Sequence, residues 1–114
     1  MQQVAFPRIR PSFSLCAAVF GALLFATSAS ARADQYDDVT TLLQQGQADQ
    51  ALIKAEANLA SNPRDPQMRF LRGVILTDQG KKQEAIGVFT GLTREYPELP
   101  EPYNNLAALY AAHN

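Results

Sequence analysis

The chain has 114 residues, a formal net charge of −1 and one cysteine, which limits it to one small domain with no internal disulfide. Residues 34–114 carry seven Lys and Arg side chains against eleven Asp and Glu. This acidic balance argues against a nucleic-acid partner, whose phosphates need basic patches, and against electrostatic binding to an anionic membrane.

Residues 1–33 have the layout of a secretory signal peptide. Arg8 and Arg10 precede an apolar run over residues 13–26, and small residues then lead to Ala31 and Ala33. A membrane anchor is the alternative, but the apolar run is shorter than the roughly 20 residues of a spanning helix. We therefore expect export with cleavage after Ala33, or else after Ala31, and a periplasmic or secreted protein without a membrane anchor.

Five stretches of residues 34–114 place apolar side chains at helical steps of three and four. The first, YDDVTTLLQQ, shows this spacing in Tyr36, Val39, Leu42 and Leu43. The other four are DQALIKAEANLA, FLRGVILTDQ, KQEAIGVFTGLTREY and PYNNLAALY. The pattern predicts an all-α domain of five helices.

The residues between these helices repeat with a period of 34. The matching columns are Gly46 with Gly80, Ala51 with Ala85, Pro63 with Pro97, and Pro66 with Pro100. A glycine ends a helix where a left-handed residue is least costly, and a proline is tolerated in the first turn of the next helix. Each unit is therefore expected to contain helix A, a tight turn, helix B and a short proline loop.

This register resembles the tetratricopeptide repeat (TPR), whose period is 34 residues. With Ala51 and Ala85 at its small twentieth position, Gly73 falls on the small eighth and Phe89 on the aromatic twenty-fourth. The resemblance implies a TPR-type helix-turn-helix solenoid over residues 34–114, with two full repeats, 34–65 and 66–99, and the first helix of a third, 100–114. The residues assigned to structural positions of the repeat are Gly46, Ala51, Pro63, Gly73, Gly80, Ala85, Phe89 and Pro97.

The chain departs from the family pattern at two positions that normally hold large apolar residues. The fourth position holds Gln35 and Arg69, and the seventh holds Asp38 and Arg72. The first repeat also has Ala55 where an aromatic ring is expected. We therefore expect the first two A helices to bury less against their own B helices, with the first repeat the weakest, as terminal repeats often are.

The last predicted helix carries Leu106, Leu109 and Tyr110 with no following helix to cover them. An uncovered apolar stripe marks an interface or an aggregation risk. Three explanations are open: the sequence is a fragment of a longer array, the helix is a cap with one apolar face left over, or two chains associate end to end through it.

No set of catalytic or metal-binding residues is visible in the sequence. His113 is the lone histidine, so the usual zinc sites are excluded. Gly87 and Gly91 lie inside a helical pattern, where we expect them to permit close helix packing rather than to bind phosphate. Asp37 and Asp38 are helix neighbours that point in different directions. We therefore expect no enzymatic activity, no cofactor and no metal.

The resemblance implies that the A helices line a concave groove that binds a segment of a partner protein. Tyr36 and Phe70 suit an apolar anchor, and the amides of Asn104 and Asn105 suit a peptide backbone. For Phe70, Leu71 and Val74 the alternative is packing against the neighbouring repeat. A Lys/Asn/Arg clamp for a partner's carboxylate, present in some TPR domains, is missing. The groove positions hold Tyr36, Thr40, Leu43, Gln44, Gln67, Phe70, Leu71, Val74, Thr77, Asp78, Asn104, Asn105 and Ala108.

Three functions fit these observations. The first is a non-enzymatic scaffold in the periplasm that holds a protein or peptide segment of another envelope protein. The second is the N-terminal TPR adaptor of a longer envelope protein with a catalytic or wall-binding domain beyond Asn114. The third is a structural piece that self-associates through the open C-terminal helix.

Overall fold

The computed structural model describes residues 31–112, which contain five α-helices and no strand. Consecutive helices pack against each other from α2 to α5. The predicted all-α solenoid of two helix pairs and a fifth helix is therefore confirmed. Within the described residues α1 covers 31–44, and the others are α2, Ala48–Ser61, α3, Pro66–Asp78, α4, Lys82–Glu95, and α5, Pro100–Ala111.

The chain divides into two units, Met1–Asp34 and Gln35–Asn114, and the fold described below concerns the second. The predicted signal peptide lies outside the described residues except for residues 31–33, which belong to α1. His113 and Asn114 also lie outside them. Export, cleavage and the division into repeats remain predictions.

Each A helix of a complete pair ends in the same left-handed turn. Gly46 has φ of 73° and Gly80 has φ of 76°. The N–H of Gln47 donates to the carbonyl of Leu42, and the N–H of Lys81 donates to that of Leu76, both at 2.9 Å. These bonds satisfy carbonyl groups that the end of a helix leaves without a partner. The two glycines therefore have the role that the 34-residue spacing predicts.

The start of α3 is fixed by a side chain that the repeat pattern did not single out. Asp65 is the N-cap, and its Oδ1 accepts from the N–H groups of Gln67 at 3.1 Å and Met68 at 3.3 Å. Pro66 follows in the first turn, where its missing N–H costs nothing. The hydroxyl of Tyr36 donates to the other carboxylate oxygen of Asp65 at 2.5 Å. This bond connects α1 to the start of α3.

Two apolar clusters hold the helices together. In the first cluster α3 contributes Met68 and Ile75, which are fully buried. The equivalent residues of α5, which stand 34 positions later, are also buried; they are Pro102 and Leu109. The first cluster contains Val39, Ala51, Ala55, Met68 and Ile75, and the second contains Leu76, Ala85, Phe89, Leu92 and Leu109.

The prediction that Leu109 is uncovered is therefore wrong, because Leu109 is packed in the second cluster. Leu106 is half-buried against the same cluster. Tyr110 is exposed, as predicted, and it shares the open side of α5 with Tyr103; the two are 56% and 45% exposed. Ala107 lies between them in sequence and is exposed.

Equivalent positions of the two helix pairs hold side chains of different size, so that a smaller residue on one helix lies opposite a larger one on the other. In the second pair Gly73 faces Phe89, whose Cε1 lies only 2.6 Å from where a Cβ of residue 73 would sit. In the first pair the equivalent residues are Val39 and Ala55, which share the first cluster. The small Ala55 is thus matched by a larger residue on α1. The first pair is built from smaller contacts, and no aromatic ring occupies its centre.

We expect opposite effects from alanine at Gly80 and at Gly87. Gly80→Ala should destabilise the protein by roughly 1–2 kcal/mol, because an L-residue is strained at positive φ. Gly87→Ala should stabilise it by about 0.5–1 kcal/mol, because nothing lies within 4 Å of the added Cβ in a helix interior. Urea denaturation followed by circular dichroism measures both. Changes of the same sign would contradict the assigned turn.

The Gly73–Phe89 contact predicts a coupling between two substitutions. Gly73→Ala alone should cost about 1–3 kcal/mol, because the new Cβ meets two ring atoms of Phe89 within 2.7 Å. Phe89→Leu removes both ring atoms, so it should cost less in the Gly73→Ala background than in the natural chain. A double-mutant cycle of unfolding free energies measures the difference. Strictly additive effects would show that the two residues do not meet.

Candidate functional site

An apolar hollow lies between the first turns of α3 and α5. Its volume is about 400 Å³. The proline loop after α4 contributes one wall, since Leu99 is the residue directly before α5. The hollow therefore joins two consecutive A helices, where a concave groove is expected. Its lining residues are Pro66, Gln67, Phe70, Leu99, Glu101 and Pro102.

Phe70 connects this hollow to the core. Its ring is half-buried and packs against the second cluster, with its centroid 5.6 Å from that of Phe89 and the two planes inclined by 55°. This tilted contact is a favourable geometry for an aromatic pair. The remaining ring surface lines the hollow. Phe70 thus packs on the second cluster, as one alternative predicted, and its remaining surface stays open to the hollow.

Leu71 and Val74 have mainly packing roles. Leu71 is half-buried against the first cluster, and Val74 is half-buried against the second. Neither lines the hollow beside Phe70. For these two residues the structure favours the packing alternative over a partner contact.

The groove positions of α1 are largely occupied by contacts within the protein. The hydroxyl of Tyr36 donates to Asp65, and the hydroxyl of Thr40 donates to the carbonyl of Tyr36 at 2.8 Å. Leu43 packs on the first cluster, whereas Gln44 is exposed. This end of the predicted groove therefore offers polar edges rather than an apolar cavity.

The remaining groove positions lie at the far end of α3 and on α5. The hydroxyl of Thr77 donates to the carbonyl of Gly73 at 2.9 Å. The side-chain amide of Asn105 donates to the carbonyl of Glu101 at 2.9 Å, so this donor is used within its own helix. The exposed residues at these positions are Thr77, Asp78, Asn104 and Ala108.

The structure brings together only Gln67 and Phe70 of the predicted groove residues in one hollow. The site prediction missed Pro66, Leu99, Glu101 and Pro102. One signal was available, because Glu101 stands 34 residues after Gln67 and so occupies the same groove position. The contribution of Leu99 depends on the path of the proline loop, which spacing alone does not predict.

The three charged residues at positions that are apolar in the family, Asp38, Arg69 and Arg72, form ion pairs between helices. Arg69 of α3 binds Glu95 of α4 with two bonds, of 2.6 and 3.0 Å. Arg72 of α3 meets Glu56 of α2 at 3.4 Å. In the first pair Asp38 meets Lys54 at 2.8 Å. The expected loss of apolar contact is therefore accompanied by ionic contacts between the A and B helices.

The Arg69–Glu95 pair changes the acidity of both groups. The hydrogen bond from Arg69 holds the pKa of Glu95 below its ordinary value. The same bond raises the pKa of Arg69, against the opposing effect of its partial burial. Both shifts favour the charged pair, so this contact is formed at neutral pH.

A second cleft, of about 710 Å³, lies between α2 and α4 and has these arginines in its lining. Gly87 also lines it, and nothing lies within 4 Å of the Cβ that a larger residue would carry there. The prediction that Gly87 permits close helix packing is wrong. Gly91 does lie near a neighbour, because Nη2 of Arg69 is 3.4 Å from its Cβ position. The cleft is lined by Glu56, Leu59, Ala60, Pro63, Arg69, Arg72, Glu84, Gly87 and Val88.

Two further features were searched for in the described part of the chain. Residues 31–112 contain no group of three His, Cys, Asp or Glu side chains that would hold a metal ion. None of the helices in this range combines the length and apolar character needed to cross a membrane.

We expect Glu95→Gln to change how stability depends on pH. Because the pKa of Glu95 is lowered in the folded state, the pair stabilises the protein above the ordinary Glu pKa of about 4.3. This stabilisation is lost as the pH falls through the lowered pKa. The difference in unfolding free energy between the natural chain and Glu95→Gln should thus be constant near neutral pH and shrink in acid.

Urea denaturation between pH 3 and 7 measures this difference. Glu84→Gln is the matched control, because it makes the same change on α4 at a carboxylate outside the ion pairs found in residues 31–112. A difference for Glu95→Gln that is unchanged down to pH 3 would contradict the pairing.

Comparison with known proteins agrees with this architecture. The tetratricopeptide repeat family matches residues 36–100, more than half of the chain. Neither the curated proteins nor the solved structures that were compared contain a match. The match begins within α1, covers α2, α3 and α4, and reaches the first residue of α5. The helix pairs, their left-handed turns and the family match together show that the chain belongs to the tetratricopeptide repeat family.

Proposed function

We propose that the protein is a non-enzymatic scaffold that holds a segment of another protein against its A helices. TPR repeats in general mediate protein–protein interactions and typically lack catalytic activity. The observation that carries the proposal is the hollow between α3 and α5, in which part of the Phe70 ring remains uncovered.

The hollow suits one large apolar side chain of a partner. Phe70, Leu99 and the two prolines offer apolar walls, while Gln67 and Glu101 supply polar groups. Binding surfaces commonly concentrate their energy in such a pocket, with polar groups at its edge for orientation. The exposed amide of Asn104 on α5 is available to a partner's backbone.

The proposed compartment is the periplasm or the exterior of the cell, and the proposed partner is another envelope protein. The support is the signal-peptide pattern of residues 1–33. Removal of that segment also removes Cys16, so the remaining chain exposes no thiol in an oxidising compartment. The adaptor of a longer envelope protein is the alternative, and it uses the same hollow.

A second contact is favoured by the open side of α5. Tyr103, Ala107 and Tyr110 stand 34 residues after Arg69, Gly73 and Leu76, which face α4 or the second cluster. The open side of α5 therefore has the register of a surface that a B helix covers. Self-association of two copies through this side is the second candidate.

We expect a photo-crosslinking residue at Gln67 to capture a partner protein in intact cells, and Phe70→Ala to weaken this capture at least tenfold. A central anchor of an interface commonly contributes that much. Lys81→Ala, in the turn after α3, should leave capture unchanged. Mass spectrometry of the crosslinked products identifies the partner and the mature N-terminus.

Two controls make this experiment decisive. A crosslinker at Gln83, exposed on α4, should give a different set of products. Circular dichroism checks that Phe70→Ala keeps its helix content, because Phe70 also packs on the second cluster. Equal capture by Phe70→Ala and Lys81→Ala would overturn the groove assignment. Products that contain only a second copy of the chain would favour self-association instead.

A further inference from the structure

Within residues 31–112, the groove positions of the A helices carry carboxylates and no cationic side chain. Asp37 stands 34 residues before the groove position of Leu71, Asp78 ends α3, and Glu101 lines the hollow beside Phe70. All three are exposed, and none takes part in an ion pair among residues 31–112. Asp78 also shares a second hollow with Asp49 near the first turn of α2, again without a cation in the lining. The partner-facing surface is therefore negatively charged.

The cations of the described chain lie elsewhere. Even the two arginines of the A helix α3 are directed away from the groove, because Arg69 binds Glu95 of α4 and Arg72 meets Glu56 of α2. Lys54 is held in the same way by Asp38. The others are Arg32 at the start of α1, outside the groove positions, and Arg64, Lys81, Lys82 and Arg94 in loops, in the turn after α3 or in α4. The protein's own cations therefore leave the groove carboxylates uncompensated.

The hollow adds a requirement for shape. Glu101 is the single charged residue in its lining, and the other walls are apolar or amide-bearing. An apolar side chain that enters the hollow brings its neighbouring residues within reach of Glu101. A cation at such a neighbour gains an ionic contact, whereas a carboxylate there meets like charge, which weakens binding and excludes wrong partners.

We propose that the groove selects a cationic protein segment, in which Lys or Arg flanks one large apolar side chain that occupies the hollow of Phe70. This inference rests on the proposed function, since it specifies the partner of the same groove. The cation lies next to the anchor, where Glu101 is nearest. Further cations along the segment meet the field of Asp37 and Asp78. Electrostatic attraction of this kind also speeds the encounter of the two proteins.

The test is a selection from a phage-displayed library of random 12-residue peptides against the full chain purified from cells that express it. A parallel selection uses Phe70→Ala, which measures dependence on the hollow. We expect the peptides enriched on the natural chain, but not on Phe70→Ala, to combine an aromatic or large aliphatic residue with an excess of Lys and Arg. Loss of binding in 500 mM salt should accompany this enrichment.

The outcomes separate this inference from the proposed function. Phe70-dependent peptides with no excess of cations would overturn the inference and leave the groove function standing. Peptides enriched equally on both proteins would overturn both. A library that yields no enriched peptide would overturn the inference, while the crosslinking at Gln67 tests the groove function independently.

Point variants then test the carboxylate itself with an enriched peptide. Glu101→Gln should weaken its binding about two- to fivefold, the effect of losing one exposed ion pair. Glu84→Gln is the matched control, because it removes the same charge from α4 on the side of the second cleft. Equal weakening by both variants would mean that only the net charge matters, and would overturn the assignment of Glu101.

Discussion

The contact of Phe89 with Gly73 is the interaction on which the rest of the structure depends. The ring lies so close to the backbone of α3 that a single added carbon would collide with it. This approach sets the distance between α3 and α4. It also places the ring against Phe70, whose centroid is 5.6 Å away. The floor of the groove is thus supported directly by the centre of the second helix pair.

This dependence has a consequence for function. Phe70 packs against the fully buried ring of Phe89, so the side chain that faces the hollow is already ordered in the free protein. A preorganised anchor site avoids part of the entropy cost of ordering side chains on binding. Under the proposed function, core packing and partner binding therefore share one pair of aromatic residues.

The sequence predicted the frame of the fold well, because that frame depends on backbone rules that repeat. Gly46 and Gly80 adopt positive φ, as their spacing required, and Ala51 and Ala85 are buried at equivalent positions. The burial of Leu109 was not predicted, because helical spacing does not say which neighbouring helix covers a given face. The 34-residue relation to the buried Ile75 would have corrected it.

The candidate site was less predictable, for a physical reason. The resemblance supplied the groove positions, but burial divides them, and only Gln67 and Phe70 meet in the hollow. No pattern in the sequence predicts which residues the long charged side chains contact. Arg69 finds Glu95 across 26 residues, because the α3–α4 turn brings the two helices side by side. Such contacts depend on three-dimensional packing and not on period.

The ion pairs and the apolar clusters differ in what they contribute to stability. Glu95 is half exposed even in its two-bond contact with Arg69, and exposed pairs contribute little. Stability therefore comes mainly from the clusters, and the first cluster has the small Ala55 where the second has the aromatic ring of Phe89. We therefore expect α1 to open more readily than α3. A partner at the proposed Phe70 site would bind to the part of the groove that packs on the second cluster. Opening of the first helix pair would leave the Phe70–Phe89 contact in place.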